Sequence, residues 1–326
     1  MGAKIPLMKK TALLAFVILL LTVMVLSQIP AFQSTPRPAA SFEEALTKFE
    51  ALQREEATLP LRPEGASRLL HHGQKTERVF VLLHGLTNCP EQFVPFAKIL
   101  HAKGANVVIP RARLAGFADR LNKDQGHQTA QDLIDQAATG LDIASGLGDR
   151  ITLIGLSGSA VAAGWMAQNR EGIYDAMLIA PFFGMFGVSP AVTDAAAATL
   201  LKLPNFYQWW DPSKKETLAG PIYAYPRFGT HCMADTIQLS RAVRKNLKER
   251  PVFAKRLVFL TTASDRAANN LLTNEISEQL KTREGTRVIT YEFPESLGIP
   301  HDMIDPAQPH ANTPLSYSKI LELVEI

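Results

Sequence analysis

Two rhythms of apolar and polar positions run along this chain, and the switches between them mark its elements. From residue 66 onward, short apolar runs are separated by longer stretches with helical spacing. "SRLLHHG" and "ERVFVLLHG" read as strands, and the second is apolar at every position from Val79 to Leu83. A helical pattern follows through Phe93, Phe96, Ala97 and Leu100 and stops at Gly104. "ANVVIP" is the next strand and "TAQDLIDQAATGLDIASGLG" the next helix, after which "RITLIG", "DAMLIA", "RLVFLTT" and "RVITYEF" complete the strand set. Successive strand side chains point to opposite faces, so a continuously apolar strand must be covered on both. Strands of that kind alternating with helices predict an α/β fold: a mostly parallel central sheet with helices on both faces.

Residues 181–255, between "MLIA" and "RLVFL", are too many for one crossover. Their helical and loop-like patterns predict an inserted helical cap over the carboxyl edge of the sheet, with the aromatics of "LPNFYQWWDP" inside it. Upstream, Ser41 and Glu44 form a capping-box pattern ahead of Phe42, Ala45, Leu46, Phe49 and Leu52. This predicts an amphipathic helix from Phe42 to about Ala57, packed on the domain or, alternatively, serving as a stalk.

The first residues change the picture of where the protein works. Lys4, Lys9 and Lys10 precede a run from Thr11 to Leu26 without a charge. A basic start and an apolar core make residues 1–32 an export signal or an N-terminal membrane anchor. The uncharged stretch extends to Phe32, about 20 residues and long enough to span a bilayer. Lysines on its amino side hold that end in the cytoplasm and send the remainder outward. Residues 33–40, "QSTPRPAA", then read as a linker, and 41–326 as an extracytoplasmic (periplasmic or extracellular) domain.

Charge adds an exclusion. A net charge of +3 over 326 residues leaves no concentrated basic stripe for nucleic acid. "RAVRKNLKER" reads as a solvated helix face. Cys89 and Cys232 lack metal-like or C-x-x-C spacing and are either a disulfide, in an oxidising compartment, or two buried thiols.

Candidate chemistry falls directly after strand runs, where open α/β sheets bind ligands. "ITLIGLSGSAVAAG" breaks at Ser157, between a strand and a run of small residues. It nearly spells G-x-S-x-G, the strand-to-helix turn that holds a nucleophilic serine, but Ser159 replaces the last glycine. "HGLTNCP" follows the strand "RVFVLL", and the Leu86 N–H there could join the Gly158 N–H in holding a tetrahedral oxyanion. His84 is read as ordering this loop. Asp265 follows "RLVFLTTAS", and His301 lies in "ESLGIPHDMIDP". In that order Ser157 is the nucleophile, His301 its base, and Asp265 the group that holds the imidazole. His310 is a competing base, and Asp302 and Asp305 adjoin His301.

With "VLLHGLTNCP", "LIGLSGSA", "SDRAANN" and "IPHDM", the chain resembles the α/β-hydrolase family over about residues 66–325. It is most similar to serine carboxylesterases, monoacylglycerol-lipase-like enzymes and serine aminopeptidase-like proteins. The resemblance implies the triad Ser157, Asp265 and His301, oxyanion donors at Leu86 and Gly158, no metal and no organic cofactor. Two positions depart from the family: Ser159, and "RARLAGFADRLNKDQGHQ", where relatives often carry a short Gly-His-Gly turn. That polar loop is expected to border the pocket.

The expected activity is hydrolysis of a carboxylic ester through an acyl-enzyme, on a small-molecule or lipid ester. Phe206, Trp209 and Trp210 are the candidate substrate contacts, and Tyr207 belongs to the same aromatic group. Peptide or amide hydrolysis, or acyl transfer, would use the same residues. An unused hydrolase fold serving as a membrane-tethered binding protein is the reading from a different class.

Overall fold

The computed structural model describes residues 28–218, 220–249 and 251–326. Of the signal or anchor expected over residues 1–32, residues 1–27 lie outside the described residues, while Ile29 and Phe32 pack on the domain rather than continuing an apolar span.

Strands β1 (Arg68–Leu70), β2 (Thr76–Leu83), β3 (Asn106–Ile109), β4 (Gly148–Leu156) and β5 (Ile173–Ile179) precede a separate antiparallel ribbon, β6 (Tyr207–Trp209) and β7 (Arg227–Gly229). Strands β8 (Arg256–Thr262) and β9 (Arg287–Phe293) follow. Outside the ribbon, the strands form one seven-stranded sheet in the order β1-β3-β2-β4-β5-β8-β9. Only β1 runs antiparallel in it, pairing Arg68 with Ile109.

The apolar runs behave as their alternation requires. Val79, Val81 and Leu83 of β2 join one core with the helices α1 (Phe42–Glu56), α3 (Ala130–Leu147) and α4 (Gly158–Asn169). Phe80 and Leu82, between them, join a second core with α2 (Val94–Ala102) and α8 (Thr313–Leu323). All five side chains are fully buried, each worth about 1.5–3 kcal/mol against exposure.

Helix α1 starts where its cap predicts. Ser41 Oγ accepts from Glu44 N–H at 3.2 Å, while the Glu44 carboxylate reaches back to Ala40 N–H at 2.9 Å. It is no stalk: Ala45 and Phe49 are buried in the core, and a Cβ on Gly146 of α3 would lie 2.2 Å from Ser41 O. The segment ahead of it is also docked. Arg37 N–H donates to Asp142 Oδ1 at 3.0 Å, Ala39 N–H to Asp142 O at 2.8 Å, and Ile29 and Phe32 pack against the core.

The insertion at 181–255 is mixed rather than uniformly helical cap. Helix α5 (Pro190–Leu200) leads to the β6–β7 ribbon, which apolar periodicity did not reveal because each strand has only three residues. Helix α6 (Thr230–Glu249) buries Ala234, Ile237, Val243 and Leu247 in the same core as α4. It is the crossover helix that the parallel β5–β8 pair requires. The stretch between α5 and α6 is what covers the carboxyl edge. Helix α7 (Asn270–Lys281) follows β8 and buries Leu272, Ile276 and Leu280 on the α4 side of the sheet.

At the opposite edge, Asp175 at the start of β5 has no exposed side-chain surface. Arg256 approaches it at 2.9 Å, Arg150 at 3.2 Å and Arg78 at 3.6 Å. Arg78 and Arg256 also donate to the carbonyls of Val324 and Leu323, tying down the end of the chain.

Candidate active site

Strand β4 ends at Leu156 and α4 begins at Gly158, so the turn between them is a single residue, Ser157. Its backbone lies at φ 60°, ψ −117°, a region that costs a non-glycine residue about 1–3 kcal/mol. The surroundings hold it there: Ser157 N–H donates to Ile179 O at 2.9 Å, and Ser157 O accepts from Phe182 N–H at 3.1 Å. Gly155 is required by the tightness of the turn, since a Cβ there would lie 2.5 Å from Ser159 O. Ser159 itself is fully buried and donates from Oγ to His84 O at 2.6 Å. The side chain that departs from the motif therefore ties the start of α4 to the loop after β2.

His301 Nε2 lies 2.9 Å from Ser157 Oγ, and its Nδ1 lies 2.6 Å from Asp265 Oδ2. The other Asp265 oxygen accepts from Ala267 N–H at 2.7 Å and Ala268 N–H at 3.0 Å. Burial pushes the Asp265 carboxyl up, but the charge and hydrogen bond of His301 and the two N–H donors outweigh it and hold it below its ordinary value. Burial likewise pushes His301 down, and the Asp265 charge and hydrogen bond, with Asp302 beyond, bring it out above its ordinary value. An ionised Asp265 fixes the proton on Nδ1 and leaves Nε2 free to accept from a hydroxyl. The chain Ser157–His301–Asp265 can thus draw a proton off Ser157 Oγ.

The loop after β2 supplies the opposite wall. His84 is buried, accepts from Ala112 N–H through Nε2 at 3.1 Å, and donates from Nδ1 to Gly85 O at 3.0 Å. Burial holds it down at about 4, so it is neutral and orders the loop. Leu86 and Gly158 adjoin: a Cβ on Gly158 would lie 3.6 Å from the Leu86 Cβ. Among the described residues, neither of their N–H groups donates to a protein acceptor. Both residues line the cavity that opens over Ser157, about 420 Å³ in volume.

Of the three aromatic residues expected to touch substrate, Trp210 lines this cavity. Its Nε1 donates to Thr87 Oγ1 at 2.9 Å, joining the cap to the loop after β2. Phe206 and Trp209 do not line it. Trp209 is held on the ribbon under the cations of Arg227, at 5.8 Å, and Lys215, at 6.0 Å. Neighbouring residues of an extended segment point opposite ways, so Trp209 and Trp210 cannot share the cavity. Tyr207 instead hydrogen-bonds to Lys123 O.

The polar loop 111–128 does not border the cavity either. It stands one layer behind: Phe117 N–H donates to the Tyr225 hydroxyl at 3.1 Å, and that hydroxyl donates to Leu114 O at 3.0 Å. Tyr225 is in the wall, and the loop braces it. His310 is exposed, with φ 63°, and is no part of the serine cluster. Asp302 accepts from Gln92 and Gln308, and Asp305 from the Tyr223 hydroxyl at 2.6 Å, so neither competes for the His301 ring. Cys89 and Cys232 are separate free thiols, buried and each pushed up to about 12 by that burial. Among the described residues, no three His, Cys, Asp or Glu side chains group to hold a metal ion.

The sequence did not point to Phe182, Met233, Tyr225 or Gln92 as cavity residues. They come from four separate segments, and no spacing signal joins them.

No protein-family model matches this chain, and no curated protein matches it by sequence. Solved structures do match. One is described with LipS and LipT, two metagenome-derived lipolytic enzymes: 14% identity, TM-score 0.58, over 81% of this chain and 99% of that one. A monoacylglycerol lipase of Paleococcus ferrophilus matches at 15% identity and TM-score 0.57, over 79% and 97% of the two chains. A soluble variant of the Saccharomyces cerevisiae monoglyceride lipase, bound to a substrate analogue, matches at 11% identity and TM-score 0.56, over 79% and 89%. With this sheet order, its single antiparallel strand and the strand–serine–helix turn, the chain is by fold an α/β-hydrolase.

Proposed function

We propose that this chain is a serine hydrolase that cleaves carboxylic esters through an acyl-enzyme, with Ser157, His301 and Asp265 as its catalytic triad. The observation that carries the reading is the hydrogen-bonded chain from Ser157 Oγ to His301 to Asp265, at 2.9 and 2.6 Å, on a strained turn at the mouth of a cavity. Ser157 Oγ attacks the ester carbonyl as His301 Nε2 takes its proton. The negative oxygen that forms is held by the N–H groups of Leu86 and Gly158. Collapse expels the alcohol, which leaves with the proton returned by His301, and the acyl group stays on Ser157. Water, deprotonated by the same imidazole, then attacks the acyl carbonyl, and Ser157 leaves reprotonated. Asp265 holds the imidazole and stabilises its cationic form throughout, without itself taking the proton.

The cavity volume of about 420 Å³ suits a small-molecule ligand, and Leu86, Phe182, Trp210 and Met233 in its wall favour an apolar acyl or alcohol group. Ester hydrolysis also agrees with the lipases among the structural neighbours. The test is labelling by a fluorophosphonate together with turnover of a series of p-nitrophenyl esters. Wild type is expected to do both and Ser157→Ala neither. Undiminished labelling of Ser157→Ala would sink the reading.

The proposal extends to an extracytoplasmic location, supported by Lys4, Lys9, Lys10 and the uncharged run that follows. Fractionation of expressing cells reads it, and recovery in the soluble cytoplasm would overturn it.

A further inference from the structure

The proposed reaction needs two groups at a set separation: the oxyanion donors in the loop after β2 and the imidazole in the loop after β9. These loops come from strands separated by three others in the sheet, so the sheet alone sets their spacing only coarsely. One buried side chain spans the gap. Gln92, 2% exposed, accepts from Gly85 N–H through Oε1 at 2.7 Å. Its Nε2 donates to Asp302 Oδ2, also at 2.7 Å. Gly85 directly precedes Leu86, and Asp302 directly follows His301. Asp302 is fixed in turn by Gln308 Nε2 at 2.8 Å and, through Oδ1, by the N–H groups of Asp305 at 3.3 Å and Ile304 at 3.4 Å.

A side-chain amide does both jobs without titrating. An ionised carboxylate would accept from Gly85 but could not donate to Asp302, and an apolar side chain would do neither. We propose that Gln92 and Asp302 are positioning residues, a polar strap that sets the oxyanion loop against His301 for the transition state. The strap holds geometry, and the Asp302 carboxylate adds a negative charge beside the imidazole. His301 is faced by Asp265 from the loop after β8 and by Asp302 on its own loop. Asp302 is faced by Asp305 and His301 and by Tyr317 of α8; burial and Asp305 push it up to about 6.

This inference rests on the serine-hydrolase reading, and the experiment separates the two. kcat, KM and the pH profile of kcat/KM are measured on an ester that wild type hydrolyses, with kcat taken per fluorophosphonate-titrated site so that an unfolded fraction does not enter. Gln92→Leu breaks the strap and keeps the charge; kcat is expected to fall roughly 10- to 100-fold, with KM little changed and the acid limb unmoved. Asp302→Asn keeps one oxygen for Gln92 but removes the charge and one acceptor; it is expected to lose less kcat than Gln92→Leu and, unlike it, to shift the acid limb to lower pH. Asp302→Leu combined with Gln92→Leu should cost no more than the worse single change, because each breaks the same strap. Should Gln92→Leu not fold, Gln92→Glu has the same shape and sets a second carboxyl against Asp302. It is expected to lose kcat progressively as pH rises and the two carboxyls give up the proton between them. Wild-type kcat in the Gln92 variants, a rise in KM alone, or additive losses would overturn the strap. Absence of fluorophosphonate uptake by wild type would overturn the serine-hydrolase reading instead.

Discussion

Two aspartates are buried at opposite edges of one sheet, and they differ in what neutralises them. Asp175, at the start of β5, is surrounded by Arg256, Arg150 and Arg78 and accepts from Thr152 Oγ1 at 3.2 Å. Asp265, past the end of β8, has two backbone N–H donors and one titratable base at 2.6 Å. Neither has exposed side-chain surface. A guanidinium is a fixed cation, so Asp175 has a standing counter-charge and holds the strand ends and chain terminus together. Asp265 gains its full counter-charge only when His301 takes a proton, which in the proposed reaction happens near the transition state. Burial and pairing therefore do not by themselves point to catalysis. A partner whose charge can change is what supports the proposed role of Asp265.

Substitution of the two aspartates tests this difference, beginning at the edge that carries Asp265. Asp265→Asn keeps an acceptor for Ala267 and Ala268 but turns the imidazole to the wrong tautomer. kcat on a reactive ester is expected to fall about 10⁴-fold with the fold retained, as read by near-ultraviolet circular dichroism. A loss within tenfold would mean that Asp265 is as static as Asp175. Asp175→Asn should do the reverse. Removing the shared anion takes the ion pair from Arg78 and leaves Arg256 and Arg150 only the half-exposed Glu325, and denaturant unfolding should report a loss of about 3–5 kcal/mol, with kcat per titrated site unchanged.

The pH dependence sharpens the same contrast. His301 must be neutral to act as base, and its folded value lies above the ordinary 6.5. The acid limb of kcat/KM is therefore expected to have its midpoint above 6.5, and Asp265→Asn should bring that midpoint down. For stability the signs oppose. The raised His301 contributes fully below its unfolded value of 6.5, and that contribution fades as pH rises through the folded value. The depressed Asp265 contributes above 3.8, and loses that contribution as pH falls through its folded value. Urea midpoints across that range, in wild type and Asp265→Asn, read both.

The smallest effect is expected at Ser159, whose partner is a fixed carbonyl. Ser159→Ala removes the bond to His84 O and should cost about 1 kcal/mol and only a few-fold in kcat. A much larger kcat loss would show that this tie also shapes the oxyanion loop.

Much of this was readable from residue order. Each of the seven apolar runs became a strand of the central sheet, because a strand buried on two faces cannot hide its composition. Ser157, Asp265 and His301 were legible because each follows a strand, and strand ends in a parallel sheet converge on one edge. The ribbon β6–β7 was not legible, being three residues long on each side. Nor was the split among Phe206, Trp209 and Trp210, since aromatic content says nothing of direction. The loop 111–128 lies near the cavity in sequence logic but behind Tyr225 in space.

By itself the sequence determined the layers, the strands of the central sheet and the order of the candidate catalytic residues, because local periodicity and strand composition encode burial directly. Only the tertiary structure decided what meets what. Gln92 holds Gly85 and reaches Asp302 across 210 residues of chain, and Ser159, standing where the motif has glycine, becomes a tie to His84. The physical reason is that a hydrogen bond depends on distance and direction, and neither is written in the spacing of residues that only folding brings together.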